Sequence, residues 1–129
     1  MSEENVETVK RVDALLCAGD VEGALAQFHP GVEWRIIGAK PPIPSGGRGI
    51  DSLRKLFTPE ANPEIPIILP HTEADEYIDA GRCVIAIHRV ELLDDEDATV
   101  FEFEDGKIVR EVSGYPSRAA ALQAVGLSE

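Results

Sequence analysis

Apolar positions near the start of the chain recur at helical spacing: Val6, Val9, Val12, Leu15 and Leu16 lie three and four residues apart. Ser2 or Asn5 can cap this helix and Gly19 stops it. Asp20 can cap a second, short helix that carries Ala24, Leu25 and Phe28 and ends at Pro30 and Gly31. VEWRII then reads as a strand. From Gly38 to Gly49 the chain has four glycines and three prolines, a loop by composition. Asp51 can cap a third short helix, SLRKLF, and TPEANPEIP is irregular. From Ile67 onward the pattern turns to strands. HTEADEYI and RCVIAIHRVELL flank the turn DAG; ATVFEFE and KIVREVSGY flank DG, whose residues tolerate the positive φ of a tight hairpin. Ser117 can cap a last helix, RAAALQAV, which Gly126 ends. Helices come first and antiparallel strands last. That order predicts one α+β domain over residues 1–129, with a curved sheet wrapped on helices.

Composition narrows the partners. The 129 residues suffice for one core, and 43% hydrophobic with 28% charged residues reads as globular. Twelve basic against 24 acidic residues leave a net charge of −12. Such a surface repels phosphate backbones, which argues against nucleic acid and anionic membranes as partners. No apolar run is long enough to span a bilayer. The acidic opening MSEENVETVK lacks a signal-peptide pattern, so a cytoplasmic location is expected. Cys17 and Cys83 fall in a helix and a strand and are expected as reduced, packed thiols.

Three phrases carry a family resemblance: LLCAGDVEGALAQFHPGVEW, the hairpin FEFEDGKIV, and the ending YPSRAAALQAVGL. With the element order, they resemble the nuclear transport factor 2-like superfamily in its SnoaL-like, polyketide-cyclase branch. The resemblance spans nearly the whole chain. It implies a cone of three to four helices on a strongly curved, mainly antiparallel sheet, with a pocket at the open end. It also implies a homodimer and a small apolar, terpenoid- or polyketide-like ligand. Enzymes, carriers and dimerisation modules share this fold, so activity must be argued from the site.

The resemblance brings two enzyme patterns of that fold to bear on the chain. Ketosteroid isomerase needs a carboxylate base and two acidic hydrogen-bond donors. Val12, Ile36 and Thr99 stand at those places, so the isomerase set is absent. Limonene-epoxide hydrolase carries an arginine and an aspartate two apart on a strand, and HRVELL is similar, with Arg89 and Glu91 in those roles. The resemblance then puts Ser113 where that family has its second aspartate, Ile36 at its asparagine and Trp34 at its tyrosine. Water attack on an epoxide needs both an acid and a base. Glu111 shares a strand face with Ser113 and is the substitute base. The catalytic candidates are therefore Arg89, Glu91 and Glu111. The pocket candidates are Trp34, Ile36, Thr99, Phe101, Phe103, Ser113 and Tyr115, mostly apolar with a few polar groups. No cofactor is implied.

Strand parity leaves a rival open. A turn at Asp94–Asp97 pairs Leu93 with Ala98 and sets Arg89 opposite Glu102. Arg89 and Glu91 then share an outer face with Val100 and Glu102, while His88, Val90, Phe101 and Phe103 share the other. An odd loop or a bulge brings Arg89 to the side of Phe101 instead. Neither alternating set of IVREVSGY is cleanly apolar, so the face of Glu111 also stays open. His88 is the one histidine deep in a strand, and a packed, hydrogen-bonded role is its default. The functional expectation is a small-molecule pocket protein with cofactor-free acid–base chemistry of the epoxide hydrolase or cyclase type. The other class is a non-catalytic binding or dimerisation module.

Overall fold

A computed structural model describes residues 2–38, 45–58, 73–90 and 95–127. Helix α1 (Ser2–Cys17) presents Val9 and Val12 to the core. Asp20 caps α2 (Val21–Leu25) by accepting from the Gly23 N–H at 2.9 Å. This helix is shorter than its pattern suggests. Phe28 belongs to β1 (Phe28–Ile36), so the strand begins before Pro30 and Gly31 rather than after them. The glycine-rich loop contributes a three-residue strand, β2 (Gly46–Arg48). Helix α3 (Ile50–Phe57) starts after Gly49, not after Asp51 as expected. Asp51 lies in the first turn and accepts instead from Arg54.

Strands β3 (Glu76–Ala80), β4 (Cys83–Val90), β5 (Asp95–Glu104) and β6 (Lys107–Tyr115) follow, then α4 (Arg118–Ala124). Asp105 and Gly106 both take positive φ, 52° and 79°, in the tight turn that the DG pair predicts. Ser117 caps α4 by accepting from the Ala120 N–H at 3.1 Å. Among the described residues six strands run in the order β2-β1-β6-β5-β4-β3, antiparallel except for the β1–β6 pair. The sheet is open, and with its helices it forms the α+β cone.

The sheet has a core on each face. On the inner face α1, α2 and α3 pack Val9, Val12, Leu25 and Leu53 against Trp34, Val84, Phe101 and Ile108. On the outer face α4 packs Ala121 and Leu122 against Ile85, Ile87, Ala98 and Val100. Strand β4 is therefore apolar on both sides, which is why VIAI reads as a continuous run rather than an alternation.

Two irregularities set which side chains face inward. The β5–β6 register shifts between Glu102 and Phe103, and again between Ala98 and Val100. The first shift lets Ile108 and Glu111, an odd number of residues apart, both join the inner side. The second carries Tyr115 to the outer core. Gly114 lies at this bend with φ +95°, where an added Cβ would stand 2.6 Å from the Ile37 carbonyl oxygen. Only glycine fits there without strain.

Candidate functional site

Helices α1 and α3 and strands β4, β5 and β6 enclose a cavity of about 230 Å³ on the inner face. Its apolar wall is Val12, Leu16, Leu56, Phe57, Ala86 and Phe101. Its polar groups are Asp13, His88, Thr99 and Glu111. Two recesses on the outer face are larger, about 290 and 430 Å³. Their arginines lie beside acids, Arg82 by Glu102 and Arg110 by Glu33, each at 3.4 Å, and Arg48 by Glu33 at 3.1 Å. Among the described residues no such pairing reaches the Glu111 carboxyl of the inner cavity.

Glu111 is 9% exposed and lines the cavity from β6. No hydrogen bond or ion pair satisfies its carboxyl among the described residues. Burial, and then the nearby Asp13 carboxylate, push its pKa up to about 7. Desolvation disfavours the charged form, and a second negative group adds to that effect. The result is a carboxyl poised to gain or lose a proton near neutrality.

Asp13 is 3% exposed on α1, on the stripe that also carries Val9, Val12 and Leu16. Its Oδ2 accepts from the Tyr77 hydroxyl at 2.5 Å and from the Ala74 N–H at 3.3 Å. Burial, and then the hydrogen bond to Asp13, hold the Tyr77 hydroxyl well above the ordinary tyrosine range. The phenol therefore stays a donor and fixes the carboxylate. The Lys10 ammonium lies 5.6 Å from the centre of the Tyr77 ring, at the outer edge of this group.

The predicted site residues divide between the two faces. Thr99, Phe101 and Glu111 line the cavity. Trp34 and Phe103 are buried in the inner core, and Ile36 packs against it. The Trp34 indole N–H donates to Ser52 Oγ at 2.9 Å. Ser113 is half-buried beside Ile36, and its carbonyl accepts from the Ile37 N–H. Tyr115 is not in the pocket; it packs on the outer core. Arg89 is also outside. Its side chain is 57% exposed and lies 3.8 Å from Glu96 and 3.9 Å from Glu76. Glu91 lies outside the described residues.

The reason is register. Val90 pairs with Asp95 and Arg89 with Glu96, so β5 begins inside the acidic run that reads as a turn. The pairing differs from the Arg89–Glu102 pair of the polar-out alternative by an even number of residues, so the described side chains keep the faces which that alternative gives them. The polar-out reading of this hairpin is the one the structure follows. His88, next to Arg89, points to the cavity instead. The arginine that epoxide hydrolysis by the resembled pattern requires is therefore not in the cavity. Cys17 also departs from expectation, being exposed, while Cys83 is half-buried; both are free thiols.

Asp13 and Tyr77 are absent from the expected site. The signal for Asp13 was a lone acid inside the apolar stripe of the first helix. Tyr77 gave no comparable signal, because a strand tyrosine is ordinary. Among the described residues no helix is long and apolar enough to cross a membrane.

Neither a family model nor a curated protein matches the chain. Solved structures do. A nuclear transport factor 2-like protein from Burkholderia xenovorans LB400 is 25% identical, with a TM-score of 0.64 and 98% of each chain covered. TerC, co-crystallised with polyporic acid, is 19% identical at a TM-score of 0.66, over 95% of this chain and 98% of its own. A SnoaL-like protein from Burkholderia thailandensis E264 is 16% identical at a TM-score of 0.63, over 91% and 98%. Matched nearly end to end, with the cone and its inner cavity in place, the chain has the nuclear transport factor 2-like fold in the form shared with SnoaL-like proteins.

Proposed function

We propose that the chain binds a small, largely apolar organic molecule in the inner cavity and moves a proton on it, with Glu111 as the acid–base group. One observation carries this reading: Glu111 is buried in the cavity, without a partner among the described residues, and has its pKa raised to about 7. Buried carboxyls are ordinarily hydrogen-bonded, so an unsatisfied one at a cavity wall points to a partner supplied by a ligand. A group that titrates near the working pH is also the efficient kind of general acid or base.

The reaction that fits one such group is isomerisation or ring closure. The Glu111 carboxylate takes a proton from an activated C–H or O–H. The bonding electrons pass into the ligand's own adjacent unsaturated system. The carboxylic acid so formed returns the proton to another atom. Asp13, held by Tyr77, keeps Glu111 from ionising too readily. That a neighbour of the same fold was co-crystallised with polyporic acid supports an organic occupant. The fold resemblance further suggests a homodimer, which sedimentation would test.

The test has two parts. Fragment-sized aromatic and terpenoid compounds are screened by thermal shift; a ligand at 100 times its Kd adds ~2.7 kcal/mol. Deuterium exchange into the ligands that bind is then followed by NMR with the native chain and with Glu111→Gln. The proposal requires exchange that the variant loses. Exchange at an unchanged rate in Glu111→Gln removes Glu111 from the chemistry. Binding with no exchange in either protein favours the second reading, a non-catalytic binding module, which the placement of Arg89 outside the cavity supports.

A further inference from the structure

The described wall of the cavity is acidic. Two buried carboxyls, Asp13 and Glu111, line it from opposite walls, α1 and β6. His88 is the only basic side chain among the described lining residues, and neither lysine nor arginine joins it. The Tyr77 hydroxyl and the Ala74 N–H both donate to Asp13 Oδ2 and hold that carboxylate in place. Glu111 has no partner among the described residues. Two carboxyls sharing a low-dielectric space repel, and a cation near both relieves the repulsion and supplies Glu111 with a hydrogen-bond donor. The Phe57 and Phe101 rings and the aliphatic wall receive an apolar body, and aromatic faces also favour a cation.

We infer that the occupant of this cavity is a small apolar amine, bound as its ammonium ion with the charge directed to Glu111 and Asp13. The inference rests on the small-molecule reading above and names the chemical class of the ligand. An organic acid would meet two carboxyls. A neutral carbonyl compound could accept from Thr99, His88 or the protonated form of Glu111, and the part of its binding that uses Glu111 would follow the opposite pH trend. The titratable and charged groups around this site are three in the cavity wall and three behind Asp13. They are Asp13 of α1, His88 of β4, Glu111 of β6, and Tyr77 of β3 with Lys10 over its ring and Glu73 nearby.

The test is calorimetric titration of the full chain with benzylamine, benzyl alcohol and benzoate, which share a ring and differ in charge. Each is measured near pH 6 and near pH 8, with the native chain and with Glu111→Gln. Benzylamine should bind at least about tenfold more tightly than the alcohol near pH 8. Its affinity should fall several-fold near pH 6, where Glu111 regains its proton while the amine stays charged. Glu111→Gln should erase both the preference and its pH dependence. Equal or tighter binding of the alcohol or of benzoate overturns the amine assignment and leaves the pocket reading standing. A preference that survives intact in Glu111→Gln overturns it as well. Silence from all three compounds overturns the pocket and the amine together.

Discussion

The two faces of the sheet each carry a cluster of acids, and the clusters behave differently. On the outer face Glu76 and Glu96 meet Arg89 and Arg118, with contacts of 3.4 to 3.9 Å. Glu96 also accepts from the Arg118 backbone N–H at the start of α4. These charges have solvent and opposite partners, so each holds its ordinary role as surface and capping chemistry. On the inner face Asp13 and Glu111 lie in a cavity walled by phenylalanine, leucine and valine. There Glu111 loses its solvation beside a second carboxyl, and its pKa is pushed up to about 7. Chemical identity does not separate a decorative acid from a reactive one; desolvation does.

The largest effect expected from this comparison is on stability against pH. The folded Glu111 pKa of about 7 lies above its ordinary value of 4.5. The folded chain then holds a proton that the unfolded chain has lost, so stability should fall as pH rises from about 4.5 to about 7 and level off above. Glu111→Gln should remove this slope and raise stability near pH 8 by up to ~3 kcal/mol, at 1.36 kcal/mol per tenfold change. Urea unfolding at several pH values measures it. A variant less stable than the native chain near pH 8 would place Glu111 among the outer-face kind of acids.

Tyr77→Phe leaves the buried Asp13 carboxylate short of its closest donor. A loss of ~1–3 kcal/mol is expected by the same unfolding assay, because the unsatisfied group carries its desolvation cost. The Glu111 pKa, followed by carboxyl NMR, should rise further. An unchanged pKa would break the link between the two inner acids.

The outer face should respond less. Ser117→Ala removes the cap of α4 and should cost ~1 kcal/mol, seen as a lower midpoint in thermal unfolding. Arg89→Ala breaks only exposed, long ion pairs and should change stability by no more than ~0.5 kcal/mol. Neither change should touch ligand binding. A loss of binding in Arg89→Ala would reopen the epoxide hydrolase pattern.

Much of the architecture was legible along the chain. The N-terminal stripe, the Asp20 and Ser117 caps, the DG turn and the final helix all rest on interactions within a few residues, so local sequence specifies them. The start of β1 at Phe28 and the strand in the glycine-rich loop were not legible, because both depend on pairing with distant strands: Phe28 aligns with Ile108, and Trp34 with Gly47. Within the candidate site, Thr99, Phe101 and Glu111 could be named as residue types but not assigned to a face. Strand β4 is buried on both sides, and two register shifts interrupt the alternation of β5 against β6.

The acid-bearing HRVELL segment, taken alone, determined only that a histidine and an arginine are neighbours and so face opposite ways. Which of the two enters the cavity was decided by the pairing of Arg89 with Glu96 and of His88 with Asp97. In the same way the sequence determined that α1 carries one acid within an apolar stripe. Only tertiary packing brought that acid and Glu111 to the same cavity, nearly a hundred residues apart in sequence. Local hydrogen bonds and apolar periodicity are encoded in neighbours along the chain. The field that two carboxyls exert on each other depends on distance and solvent exposure in space, and those exist only once the sheet has closed over the helices.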